Sequence, residues 1–191
     1  SQVVTGNLDV NLTKVATEQV TVSYYSTNLT AKSSSDYTGV SGSLSFPVGS
    51  TNQVIFLSIL PDLVDENDEE YQIVFSSVTG PAALTNAIST ITIVDNDPLP
   101  SVSISDVMAS EGGAGQTNFF QFPIQLSQAS GRTVAVDYQT SVGTAEAGVD
   151  YIGGSGRVHI QAGQTTGMIP IRSLGDDTLE ANETFNVTIS I

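Results

Sequence analysis

Residues 176–183 read DDTLEANE and residues 62–69 read DLVDENDE, so Asp176, Asp177, Glu180 and Glu183 crowd one stretch and Asp62, Asp65, Glu66 and Glu69 the other. Carboxylates at this spacing serve two chemistries. A pair such as Glu180 and Glu183 can act as acid and nucleophile in glycoside hydrolysis, which requires one carboxyl to stay protonated. Alternatively, several ionised carboxylates together bind a hard cation. Two unit charges about 4 Å apart repel by roughly 1 kcal/mol in water and about 4 kcal/mol at the effective dielectric of a protein surface. Nine acids in two short stretches, Asp68 among them, therefore call for a counter-charge rather than for one trapped proton, and the chain is read as a binding protein, not an enzyme. The single histidine, His159, alternates with Val158 and Ile160, which places it on a solvent-facing strand position with no triad partner.

The elements that position these acids are strands. Period-two alternation runs through Leu8, Val10 and Leu12; Val20, Val22 and Tyr24; Leu44 and Phe46; and Ile91 and Ile93. It returns in Phe120, Phe122, Ile124 and Leu126, in Val134, Val136 and Tyr138, and in Phe185, Val187 and Ile189. Gly, Asn, Asp and Ser clusters separate these runs, and no stretch keeps a 3.6-residue period, so the chain is all-β and its strand spacing predicts sandwiches. A 39% apolar content over 191 residues supplies a core large enough for two domains.

An internal repeat divides the chain. At a shift of 114 residues, Asp36-Tyr37 falls on Asp150-Tyr151, Gly42 on Gly156, Gly49 on Gly163, Asp62 on Asp176, Glu66 on Glu180 and Glu69 on Glu183. Residues 8–77 align with 122–191 without a gap. Two copies of one β module are thus expected, over residues 1–97 and 98–191, joined near Asp97-Pro98-Leu99-Pro100, where the prolines resist strand continuation. The first copy has no counterpart of residues 101–114 and the second none of residues 88–97, so each is expected to lack an edge strand. Unpaired edges predict pairing with other copies of the chain or with neighbouring modules, head to tail.

Thirteen acids occupy a few loop positions of the repeat: Asp36, Asp62, Asp65, Glu66, Glu69, Asp95 and Asp97 in the first copy, and Glu111, Asp150, Asp176, Asp177, Glu180 and Glu183 in the second. Alternate loops of an antiparallel sandwich gather at one end, so five or six of these carboxylates are expected to converge. Ca2+ takes six to eight oxygens in flexible geometry and suits such a set better than Mg2+, which keeps its waters. With 20 acids against five bases, a net charge of −15, the chain is not expected to bind nucleic acid or to insert in a membrane. The absence of cysteine rules out disulfides and thiolate metal sites. An EF-hand is excluded because its loop needs a central glycine and flanking helices; a cadherin, whose linker the Asp-Asn-Asp-Pro run resembles, is a distant fold-level alternative with no Asp-Arg-Glu element to match it.

The succession Val-x-Val-x-Tyr, Asp-Tyr-(x)4-Gly, Gly-x-Thr, Asp-(x)3-Glu-x-x-Glu-x-Phe/Tyr and Ile-x-Ile-Val-Asp-Asn-Asp resembles the Calx-beta module of sodium–calcium exchanger regulatory loops and of extracellular adhesion proteins. The resemblance implies an immunoglobulin-like antiparallel sandwich of about seven strands. It also implies Ca2+ ligands from a Glu at the opening strand (Glu111), the Asp before the aromatic (Asp36, Asp150), the acidic loop, and an Asp pair after the closing strand (Asp95, Asp97). Leu63 in the first copy replaces Asp177 of the second. The functional expectation is a Ca2+-binding structural or adhesion module of an extracellular protein, rigidified by the ion. A regulatory Ca2+ sensor of an ion exchanger and a metal-free spacer are the alternatives. Asn11, Asn28 and Asn186 are sequons expected to carry N-glycans, whereas Asn182 sits within the acidic loop.

Overall fold

A computed structural model describes residues 3–191; residues 1 and 2 of the first expected module lie outside the described residues. The chain divides into two compact units, one formed by the chain up to Leu63 with Asn67–Asn96, the other by Val64–Glu66 with Asp97–Ile191. No helix occurs among the described residues.

The first unit has six strands: β1 (Val4–Asn11), β2 (Val20–Asn28), β3 (Ser41–Phe46), β4 (Asn52–Ile59), β5 (Glu69–Thr79) and β6 (Ile88–Ile93). β1 and β4 form one antiparallel sheet, and the other runs β3-β2-β5-β6. The second unit has β7 (Val102–Ile104), β8 (Phe119–Leu126), β9 (Val134–Val142), β10 (Ser155–Ile160), β11 (Thr166–Arg172) and β12 (Phe185–Ser190). Its sheets run β11-β8-β7 and β10-β9-β12. Each unit therefore shows six strands among the described residues instead of seven. β7 adds an opening strand beside β8 that has no counterpart beside β1, and β6 adds a closing strand beside β5 that has no counterpart beside β12.

Alternation decides which face each strand buries. In β8, Phe122, Ile124 and Leu126 point inward while Gln121, Pro123 and Gln125 are exposed. They meet Ile169 and Ile171 of β11, Val136 of β9 and Ile160 of β10 in one core. Val20, Val22, Phe46, Ile55, Leu57, Ile73 and Phe75 build the equivalent core of the first unit. Each such side chain contributes about 1.5–3 kcal/mol on leaving water. His159 is exposed on β10 opposite Ala135, as its parity predicts.

Both cores carry one aromatic pair at the acid-bearing end. Tyr37 stacks on Tyr71 with ring centroids 3.8 Å apart and planes 10° from parallel. At the matching positions, Tyr151 stacks on Phe185 at 4.1 Å and 12°. Tyr37, Tyr71 and Tyr151 are each only 1% exposed. These rings lock the Asp-Tyr loop onto the strand that follows the acidic loop, and their chain neighbours are the acids: Asp36 and Asp150 precede the tyrosines, while Glu69 and Glu183 lie two residues before Tyr71 and Phe185.

Candidate metal centre

The Asp-Tyr loop is built the same way in both units. Asp36 accepts a hydrogen bond at Oδ2 from the Lys32 N–H (2.7 Å), and Asp150 accepts one at Oδ2 from the Glu146 N–H (2.6 Å). The loop returns through a left-handed residue, Ser34 at φ 82° and Gly148 at φ 91°. The carbonyl oxygens of Asp36 and Asp150 then accept from Leu60 and Leu174 N–H at 2.9 and 2.8 Å. With Oδ2 and the backbone tied down, each aspartate is oriented before any ligand arrives.

In the second unit Glu111, Asp150 and Glu180 bring one carboxylate oxygen each within 4.8 Å of one another; in the first unit Asp36 and Glu69 bring theirs equally close. Any two oxygens no farther apart than that can share one cation whose metal–oxygen distance is about 2.4 Å, the Ca2+ value. Glu111 and Asp150 are half-buried and Glu180 is exposed. The electrostatics agree with a missing counter-charge. Partial desolvation, then the charges of Asp176, Asp150 and Glu111, push the Glu180 carboxyl above its ordinary range. Desolvation, a hydrogen bond shared with Asp150, and the charges of Asp150, Glu180 and Glu111 do the same to Glu183. A group of hard oxygen donors that resists full ionisation on its own is chemically suited to a hard divalent cation.

The remaining expected ligands are placed as follows. Asp176 turns back on its own loop, accepting from the Thr178 N–H at 2.6 Å. Asp177 accepts from the Ala114 N–H at 3.2 Å and so clamps the loop that carries Glu111. Asp62 is exposed; Asp95 and Asp97 follow β6 half-buried, with the Asp95 N–H donating to Asp68 at 3.0 Å.

Asp65 departs from the expected ligand set. It is 2% exposed, accepts from the Ser130 hydroxyl at 2.8 Å and from Arg132 Nε at 3.2 Å, and its other oxygen accepts from Arg132 Nη2. The Arg132 hydrogen bond holds its carboxyl below the usual carboxylate range. A guanidinium fork already supplies both the donors and the charge that a cation would. Sequence spacing could not show this, because the partners lie 65 and 67 residues away.

Sequence reading also missed Ser173. It is fully buried, and its hydroxyl bridges the Glu111 carbonyl and the Asn118 N–H. The available signal was a break in parity: a serine follows the inward Ile169 and Ile171 where the first copy has Ile59. Asn11, Asn28 and Asn186 are all exposed, although the Asn28 side-chain carbonyl is engaged by the Tyr37 hydroxyl (2.6 Å) and the Ser33 N–H (3.0 Å).

Tandem antiparallel sandwiches whose inter-strand loops gather carboxylates define a class of oxygen-donor binding modules. The Calx-beta domain model matches residues 2–97 and 113–191, and the chain belongs to the Calx-beta family. It is 28% identical over 88% of its length to the sodium/calcium exchanger Calx of Drosophila melanogaster, covering 18% of that protein. It is 28% identical over 81% of its length to adhesion G-protein coupled receptor V1 of Danio rerio, covering 3% of it. With sodium/calcium exchanger 1 of Cavia porcellus the identity is 27% over 91% of the chain and 20% of the relative. The chain thus spans a fifth or less of each of these relatives. Among solved structures, the calcium binding domain CBD12 of CALX1.1 matches over 97% of this chain and 73% of that one, at 23% identity and a TM-score of 0.48.

Proposed function

We propose that the chain is a Ca2+-binding structural module of an extracellular adhesion protein. The observation that supports this most is the Asp-Tyr loop carboxylate that recurs 114 residues apart with glutamate carboxylates held within 4.8 Å of it, Glu69 beside Asp36 and Glu111 and Glu180 beside Asp150. In the second copy Glu111, Asp150 and Glu180 hold the ion, with Glu183 beside them; in the first, Asp36 and Glu69 hold it. The bound ion neutralises loops that otherwise repel. Glu180 is exposed and its neighbour Leu179 is 99% exposed, so this side of the second site is weakly preorganised. That favours the roughly 10⁻⁴ to 10⁻³ M affinity of extracellular modules, which are filled at millimolar Ca2+. The exposed sequons at Asn11 and Asn186 fit the same compartment.

Calorimetric titration of the chelated chain with Ca2+ tests the reading. Heat is expected in the range up to about 10⁻³ M, with Asp150→Asn removing the contribution of the second copy and Asp36→Asn that of the first. Absence of any Ca2+ heat would sink it. A regulatory Ca2+ sensor of an exchanger is the second reading, favoured by similarity to exchanger sequences over 88% of the chain. Micromolar affinity would select the sensor, whereas a mass loss on treating the secreted protein with a glycan-removing amidase would select the extracellular module.

A further inference from the structure

We infer that Ser173 is the positioning residue of the second site, its buried hydroxyl fastening the Glu111 arm to the strand end whose backbone holds the Asp150 arm. This rests on the reading that Glu111, Asp150 and Glu180 hold a cation. Ser173 Oγ donates to the Glu111 carbonyl oxygen at 3.0 Å and accepts from the Asn118 N–H at 3.1 Å, while its own N–H donates to the Asn118 carbonyl at 2.9 Å. Both ends of the Glu111–Asn118 loop are therefore fastened to one residue. On its other side the Ser173 backbone bridges Tyr151 in antiparallel register, and the next residue, Leu174, donates to the Asp150 carbonyl at 2.8 Å. Two of the three clustered carboxylates thus hang from Ser173 and its chain neighbours.

The hydroxyl is fully buried and satisfied by protein groups, so it positions rather than ligates. The first copy shows the alternative. There Ile59 occupies the matching position, pairs with Val4 in the β1–β4 ladder and bridges Tyr37. An apolar side chain suffices to close that ladder, and a hydroxyl is needed only where an acid-bearing loop must be tied. Close approach reinforces the tie: a Cβ on Gly175 would sit 2.6 Å from the Gly112 carbonyl oxygen and 2.9 Å from that of Gly113, both backbone atoms that cannot swing aside. Gly112 itself sits at φ 98°, a left-handed turn that brings the loop back over Gly175.

The test uses the full chain carrying Asp36→Asn and Glu69→Gln, so that calorimetric Ca2+ titration reads the second site alone. In that background Ser173→Ala is expected to weaken Ca2+ binding by about tenfold or more, the effect typical of removing a group that orients a metal ligand. Its unfolding midpoint should fall in chelator, where two buried hydrogen bonds are lost, and fall further in Ca2+, where the lost affinity adds to that loss. Ser173→Thr, which keeps the hydroxyl, should restore most of the affinity. If Ser173→Ala does not fold, Ser173→Cys carries the same expectation, because the thiol keeps the shape but is a weak donor. Affinity within twofold of the parent in the Ala or Cys variant, or equal loss in the Thr variant, overturns the positioning role. No Ca2+ binding by the parent itself overturns the cation reading and this inference with it.

Discussion

Tyr151→Ala is expected to destabilise the second unit by about 3–5 kcal/mol, the cost of deleting a buried aromatic ring. A domain of this size is stable by only about 5–15 kcal/mol, so the loss is a large fraction of the whole. Tyr151 is 1% exposed, stacks on Phe185 at 4.1 Å, and shares its core with Ile169, Ile171 and Phe122. Phe120 and Phe122 in turn meet Phe185 edge-on at 5.4 and 5.8 Å, so the cavity opens in the middle of an aromatic cluster. The ring also anchors Asp150, its chain neighbour, and Ca2+ binding at the second site should be lost with it. Tyr151→Phe keeps the stacked ring and should cost less than about 1.5 kcal/mol. At the matching position, Tyr37→Phe removes the hydroxyl donated to Asn28 at 2.6 Å and should cost about 1 kcal/mol. Thermal and denaturant unfolding of the variants reads these differences; a Tyr151→Ala chain that unfolds within a degree of the parent and still binds Ca2+ in both copies would refute the role of the aromatic pair.

Saturating Ca2+ should raise the stability of each occupied unit by about 1.4–2.7 kcal/mol at 10 to 100 times the dissociation constant. For a domain of about 60–100 residues each kcal/mol is worth some 4–8 °C in unfolding midpoint. The pH dependence should change sign with the ion. In chelator, Glu180 and Glu183 have folded pKa values above their unfolded ones, so their contribution is fully present below the unfolded value and is lost as pH rises through the folded range. Lowering the pH from neutral through that range should therefore stabilise the cation-free protein. Below the ordinary carboxylate range the trend reverses, because Asp65 and Asp137 have lowered folded values and lose their Arg132 and Arg157 partnerships as they take up protons. In Ca2+, protons compete with the ion for the same oxygens, and stability should fall on acidification from the start. Unfolding midpoints between neutral pH and the acid limit, with and without Ca2+, measure both curves; parallel curves would show that the clustered glutamates do not hold the ion.

Much of this architecture was legible along the chain. The alternation of Phe122, Ile124 and Leu126 named the buried face of β8, because side chains on a pleated strand alternate whatever they later pack against. The 114-residue register paired Asp36 with Asp150, and each stands within 4.8 Å of a glutamate carboxylate oxygen, Glu69 in the first unit and Glu180 in the second. Repetition was informative because identical local chemistry at identical offsets folds into identical loops, down to the Oδ2 hydrogen bonds made by both aspartates.

The amino-acid sequence by itself determined the strand pattern, the two-fold repeat and the acids available at the loops, since each follows from periodicity and spacing over a few tens of residues. Only the tertiary structure decided which acids meet. Asp65 lies four residues from Glu69, yet one is taken by Arg132 and Ser130 while the other joins Asp36. Asp177 turned to the Ala114 N–H, and Ser173, with no charge to draw notice, came to hold Glu111. A carboxylate's role depends on which donor reaches it within hydrogen-bond distance, and for Asp177 and Asp65 those donors come from segments 63 and 65 residues distant in the chain.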